Sequence, residues 1–200
     1  MTSTLLATSS VQENGWIRGP VGPWTATDQH LIHDGLPDID TPSIVWSGGL
    51  GKDPFGANPA TWLTHGWNQL QAAVPSEPHP HLLIRPHWAH VLSDAPSCRH
   101  ACETWGLGLA LAPASMLTSG MMQDAPEHLE CIFRMCGPLT RVLLLEDLVM
   151  QDDLLQPCPA GSGLLSGKEL GQLAREHLDD QVLQVVLADD PEAAAAWLQH

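Results

Sequence analysis

Three short runs between His81 and Leu148 are apolar on nearly every residue: HLLIRP, GLGLALAP and TRVLLLEDL. None of them alternates with polar residues. A strand that is apolar on both faces has no side for water, so it must be covered above and below, as strands are in parallel α/β sheets. Each run ends in a polar or proline-bearing turn leading towards an amphipathic segment. The order strand, turn, helix confines the chain to the layered α/β class, and it marks the carboxyl ends of the strands as the place where such folds keep their chemistry.

The pattern extends beyond the three runs. Strands are expected at 43–47, 81–85, 107–111, 141–145 and 182–187, with a further candidate at 4–9. Helices are expected to open at Asn58-Pro59, Asp94 with Pro96, Asp124 with Pro126 and Asp190-Pro191, where a capping side chain precedes a proline in the first turn. Ser166 with Glu169 has the form of a capping box. Leu63, Gly66, Trp67, Leu70 and Val74 form the buried stripe of the helix after Asn58. A long irregular connection is expected over 151–165, where Pro157, Pro159, Gly161 and Gly163 fall. The order leaves an open doubly wound sheet or a (β/α) barrel. Two hundred residues fall short of the roughly 250 of a complete eight-stranded barrel, so the expected fold is an abbreviated or incomplete TIM-type barrel of parallel βα repeats. One domain is expected, with regular units over 41–200 and an irregular segment over 1–40. Glycines and prolines interrupt that segment, Trp16 and Trp24 suggest packing, and a short helix is expected at 27–33.

Composition narrows the function. A formal charge of −15, from 23 acids against 8 bases, argues against nucleic acid and against an anionic membrane surface, since both need Lys and Arg. No apolar stretch approaches the length of a membrane span, and no basic residue precedes the Leu5-Leu6-Ala7 patch, so a cytoplasmic protein without a secretory signal is expected. Five cysteines suit a disulfide framework poorly. Cys98 and Cys102 recur with Ala101 and Trp105 at helical spacing, and Cys136 does so with Leu129, Ile132 and Phe133, as small buried apolar groups would. No C-x-x-C pair offers a zinc site.

From about Ile44 to Leu198 the phrases LLIRPHW, GLGLALAPASML, RVLLLEDL, GSGLLSGKEL and QVVLADD follow one another in an order that resembles the xylose-isomerase-like barrel superfamily, which includes sugar-phosphate isomerases and epimerases. The resemblance implies a divalent metal held by strand-end acids and a His, with carboxylates moving a proton on a sugar. Position by position the pattern departs: Arg85 stands where a Glu is usual, Ala112 for an Asp, Leu144 for a His, and Ala188 near the last Glu. Only Asp147 matches, with Glu146 beside it and Asp189 one residue past its expected place. A fixed positive charge at Arg85 is worse for a cation than a neutral loss, so the metal is disfavoured.

Another chemistry could use the same mouth. Arg85 as an anion clamp, with His90, Trp88 and Asp189, could bind a small sugar or sugar phosphate, with His87, Glu146 and Asp147 as the catalytic groups and His87 the general base. Against this stands a plainer reading, in which Arg85 pairs with Glu146 or Asp147 as a buried ion pair, because a buried Arg demands an acid whether or not anything binds. Gly48-Gly49-Leu50-Gly51-Lys52 lacks the phosphate-loop pattern, Ser115 has no nucleophile-elbow context, and surface placement is expected for His79 and His81. The chain is therefore expected to be a divergent isomerase- or epimerase-like barrel protein or a non-catalytic relative (a pseudoenzyme) serving as a binding or interaction module. A homodimer would cover the edges of an unclosed sheet.

Overall fold

Apolar runs become strands here because both of their faces find cover. The computed structural model describes residues 4–7, 18–37, 41–49, 59–74 and 79–199, with backbone alone for 4–7 and 59–63. The chain runs β1 (Thr4–Ala7), β2 (Gly19–Val21), β3 (Trp24–His30), α1 (Leu31–Asp34), β4 (Ser43–Trp46) and α2 (Pro59–Ala73). It continues with β5 (Leu82–Arg85), α3 (Ala95–Trp105), β6 (Gly108–Leu111), α4 (Ala125–Cys136) and β7 (Thr140–Leu145). A hairpin of β8 (Asp147–Gln151) and β9 (Leu154–Cys158) precedes α5 (Gly167–His177), β10 (Leu183–Leu187) and α6 (Pro191–Trp197).

The main sheet has the strand order β1-β10-β7-β6-β5-β4-β3-β2. All its pairings are parallel except that of β2 with β3. Seven parallel strands with alternating helices thus form a nearly closed, abbreviated TIM-type barrel. The first strand lies beside the last, and the opposite edge swings round until the β2–β3 turn meets β10. Gly22 in that turn has φ +61°, which calls for glycine, and a Cβ on it would lie 2.6 Å from Leu183 Cδ2, so the turn sits against the end of that side chain.

Alternation divides each apolar run between two layers. Ala26, Ile44, Leu83, Ala110, Val142, Leu144, Val185 and Leu187 meet inside the barrel with Val21. Val45, Ile84, Leu109, Leu111, Leu143 and Val186 face outward onto Leu70, Cys98, Trp105, Phe133 and Leu170 of the helices. The alanines inside suit a barrel of few strands, whose interior is narrow. All five cysteines are free, and Cys98, Cys102 and Cys136 are buried. Asp94 caps α3, its Oδ1 accepting from Ser97 N at 2.7 Å in a capping box. Ser166 Oγ accepts from Glu169 N at the start of α5. Asn58, Trp16, Ser9 and the side chain of Leu63 lie outside the described residues.

Three expectations are corrected. Residues 27–30 are strand, with only one helical turn at Leu31–Asp34, and residues 19–30 pair as β2 and β3 instead of running irregularly. The stretch TATDQH is polar because β3 is only half-buried, so it shows no apolar run. The connection over 151–165 is not irregular throughout, because β8 and β9 pair in register from Asp147↔Cys158 to Gln151↔Leu154. Their turn is Asp152-Asp153, with φ of 50° and 63°. Both central residues of a type I′ turn need positive φ, which Gly adopts freely and Asn and Asp adopt at a smaller cost than other residues. Asp153→Gly is therefore expected to stabilise the protein by about 0.5–1 kcal/mol in urea unfolding; a loss of stability would contradict this turn geometry.

Candidate functional site

Pleating decides which side chains reach the barrel mouth. Ile44, Leu83 and Leu144 line the interior, so two residues further on Trp46, Arg85 and Glu146 point inward at the carboxyl ends of β4, β5 and β7. They are 3%, 3% and 1% exposed. Arg85 Nη2 donates to Glu146 Oε2 at 2.7 Å, and Ser115 Oγ donates to Glu146 Oε1. Nη2 also approaches Ser115 Oγ at 3.5 Å. The guanidinium carbon lies 4.5 Å from the centre of the Trp46 ring, within cation–π range. Arg85 Nε is buried with no hydrogen-bond partner among the described residues. The cavity beside it, lined by Ala26, Thr27, Ile44, Val45, Trp46 and Leu144, measures about 10 Å³, room for one water.

The loop after β5 closes over this pair. Trp88 N donates to Ser115 O at 2.9 Å, Val91 N to Gly48 O at 3.0 Å and Leu92 N to Ser47 Oγ at 3.2 Å. The loop is thereby tied to the loops after β4 and β6, and His87 and His90 are each left 8% exposed. Their rings lie 4.9 Å apart, and that of His90 is 5.2 Å from both Trp46 and His30. Ala89 N donates to His87 Nδ1 at 3.1 Å, and His90 Nδ1 is buried without a partner among the described residues.

Burial disfavours the charged imidazole, and nearby cations add to the effect. His87 is pushed down to about 4, first by burial, then by Arg85 and His30. His90 is pushed further down, by burial and then by His87, His30, Arg85 and His33. Both are thus neutral in the fold at pH 7, whereas in the unfolded chain they titrate near 6.5. Between those values the unfolded state binds more protons, so this stability is full above pH 6.5 and falls as pH drops towards 4. For His87 alone the loss is about 3 kcal/mol. Urea unfolding at several pH values is expected to show it, with a flatter profile for His87→Gln/His90→Gln. An unchanged slope in the double variant would contradict the burial of these rings.

The expected site residues fall into two groups. Arg85, Glu146, His87 and His90 converge, with half-buried Trp88 at their edge, its ring 5.6 Å from His87. Asp147 does other work: its Oδ1 accepts from Leu148 N at 2.7 Å and Leu165 N at 2.8 Å, and its Oδ2 from Gly163 N at 2.9 Å. It fastens the segment after β9 back onto β8. Asp189 is exposed just past β10, where its neighbour Asp190 caps α6. His79 is half-buried and His81 exposed at the amino end of β5, away from the mouth. Residues 50–52 of the glycine-bearing loop lie outside the described residues.

Three residues that join the cluster were not among the expected ones. Trp46 was legible in principle, two residues past the inward Ile44. Ser115 lies three residues beyond Ala112 in a one-turn helix over Ala114–Met116, and nothing local marks it. His30 closes β3, a strand the sequence disguises.

The divalent metal implied by the resemblance does not fit this donor set. Both oxygens of Glu146 are engaged by Arg85 and Ser115, and both of Asp147 by backbone N–H groups. Among the described residues no three His, Cys, Asp or Glu side chains are placed to hold an ion.

No family model matches the chain, and no curated protein does. Among solved structures it is similar to protein SMc04130 from Sinorhizobium meliloti 1021, at 16% identity and a TM-score of 0.42, over 78% of this chain and 62% of that one. It is also similar to the probable 3-DHS dehydratase AsbF of petrobactin synthesis from Bacillus anthracis, at 9% identity and a TM-score of 0.45, over 78% of this chain and 60% of that one. A xylose isomerase domain protein from Planctomyces limnophilus gives 13% identity and a TM-score of 0.45, over 80% and 56%. The chain thus spans between 56% and 62% of the length of these structures. Likeness of this grade carries nothing about activity, and the fold rests on the strand pairing above.

Proposed function

We propose that this chain is a non-catalytic barrel that serves as a binding or interaction module, its mouth sealed by its own side chains. The observation that carries this reading is the buried Arg85–Glu146–Ser115 cluster. A mouth that worked on a sugar would need its carboxylate free to take a proton and a space that admits the substrate. Here Glu146 is held by two donors, and the adjoining cavity has room for one water. His87, the expected general base, is buried and held far below the pH at which it would serve. No described helix is long and apolar enough to cross a membrane.

The test is a melting-temperature titration with Mn²⁺, Mg²⁺, Co²⁺ or Zn²⁺ together with sugars and sugar phosphates. A ligand at a hundred times its Kd adds about 2.7 kcal/mol, which for a chain of this size raises Tm by roughly 5–10 °C. The expected result is no such rise. A rise that Glu146→Gln abolishes would overturn the reading and restore a ligand site at the mouth.

A further inference from the structure

The largest exposed apolar side chains are not scattered. Among the described residues they are Val149, Met150, Leu154 and Leu164, at 37%, 43%, 49% and 58% exposure, and all four belong to the β8–β9 hairpin or the segment beside it. The pairing explains the grouping. Leu148↔Pro157 and Met150↔Leu155 share one face, on which Leu148, Leu155 and Pro157 are buried. Val149, Gln156, Gln151 and Leu154 are exposed on the other, which they share with the buried pair Asp147↔Cys158, while Met150 is exposed at the end of the first face. Leu164 N donates to Leu148 O at 2.8 Å, which ties the exposed Leu164 to the chain beside β8.

Charge selects the occupant. No Lys or Arg occurs between Arg141 and Lys168, while Asp152 and Asp153 stand exposed at the hairpin tip. A hairpin with exposed apolar side chains and no charge of its own but acidic ones complements a segment that is apolar with basic charge. A second copy of this chain would set two such acidic tips and two molecules of charge −15 against each other, with no Lys or Arg on either hairpin. We propose that this face of the hairpin docks a basic, amphipathic segment of a partner protein. The inference rests on the reading of the chain as an interaction module, for which it supplies the class of partner.

The probe is a synthetic peptide of alternating lysine and leucine, with its glutamate–leucine counterpart as control, titrated against the full chain by fluorescence anisotropy. Saturable binding is expected for the lysine peptide alone, weakened about tenfold or more in the triple variant Val149→Ser/Leu154→Ser/Leu164→Ser, which keeps every charge. These positions are exposed, so the variant should retain the parent's circular dichroism and Tm. Equal binding by parent and triple variant would overturn the proposal, since charge alone would then account for it. Equal binding of the glutamate peptide would do the same, as would a dimer in light scattering that the triple variant dissolves. Such a failure leaves the sealed mouth standing, whereas a sugar- or metal-dependent rise in Tm overturns the reading beneath it.

Discussion

Replacing Arg85 with Met is expected to destabilise the protein by about 3–5 kcal/mol, chiefly because it leaves Glu146 buried without its counter-ion. The side chains are similar in length, so lost packing is the smaller part. Glu146 would keep only the Ser115 hydroxyl as a partner in a buried setting. Urea unfolding near neutral pH reads the size of the loss. A loss under 1 kcal/mol near neutral pH would mean that Glu146 reaches solvent.

The second large effect is expected at Asp147. Its carboxylate takes three backbone N–H groups, from Leu148, Gly163 and Leu165, and the site is 1% exposed. Asp147→Ala would orphan these donors, each bonded to a charged group, and is expected to cost about 3 kcal/mol or more. Asp147→Asn keeps one acceptor oxygen and should cost less. Gly163 approaches so closely that a Cβ on it would run into Leu148 O and Asp147 Oδ1, so the segment cannot slide to find other partners. Loss of protection of the Gly163 and Leu165 amides in hydrogen exchange, with the barrel strands still protected, would locate the damage in this connection. Equal stability of Asp147→Ala and the parent would show that the three bonds contribute nothing.

The sequence was legible where physics leaves one solution. Leu82–Arg85, Gly108–Leu111 and Thr140–Leu145 are apolar on both faces, and only a covered parallel sheet accommodates that. The ion pair was legible for a related reason. Arg85 ends an apolar run and needs an acid, and Glu146 ends the run two strands away. Which of Glu146 and Asp147 would take it was not legible, because neighbours on a chain leaving a strand point to opposite sides. Glu146 continues the inward series of Val142 and Leu144, and Asp147 turns to the backbone behind it.

Other features left no signal. β3 is half-buried, so TATDQH carries neither an apolar run nor alternation. The β8–β9 hairpin is hidden by Pro157, which ordinarily argues against a strand, and by an Asp-Asp turn that lacks glycine. Pro157 is tolerated opposite Leu148 on the two-stranded ribbon, and the aspartates adopt positive φ. His87 and His90 stand in a loop that is tied down by hydrogen bonds to Gly48, Ser47 and Ser115, far away in sequence, and by its own Val91 and Leu92 in the core.

The measurement that bears most directly on the sealed mouth is a double-mutant cycle of Arg85→Met and Glu146→Gln, read by urea unfolding near neutral pH. Each single variant leaves one buried charge alone, whereas the double variant leaves none. The expected outcome is a double variant more stable than Arg85→Met, with a coupling of about 2–3 kcal/mol between the two sites. Additivity within about 0.5 kcal/mol would show that the two side chains are not partners and that the mouth of the barrel is open.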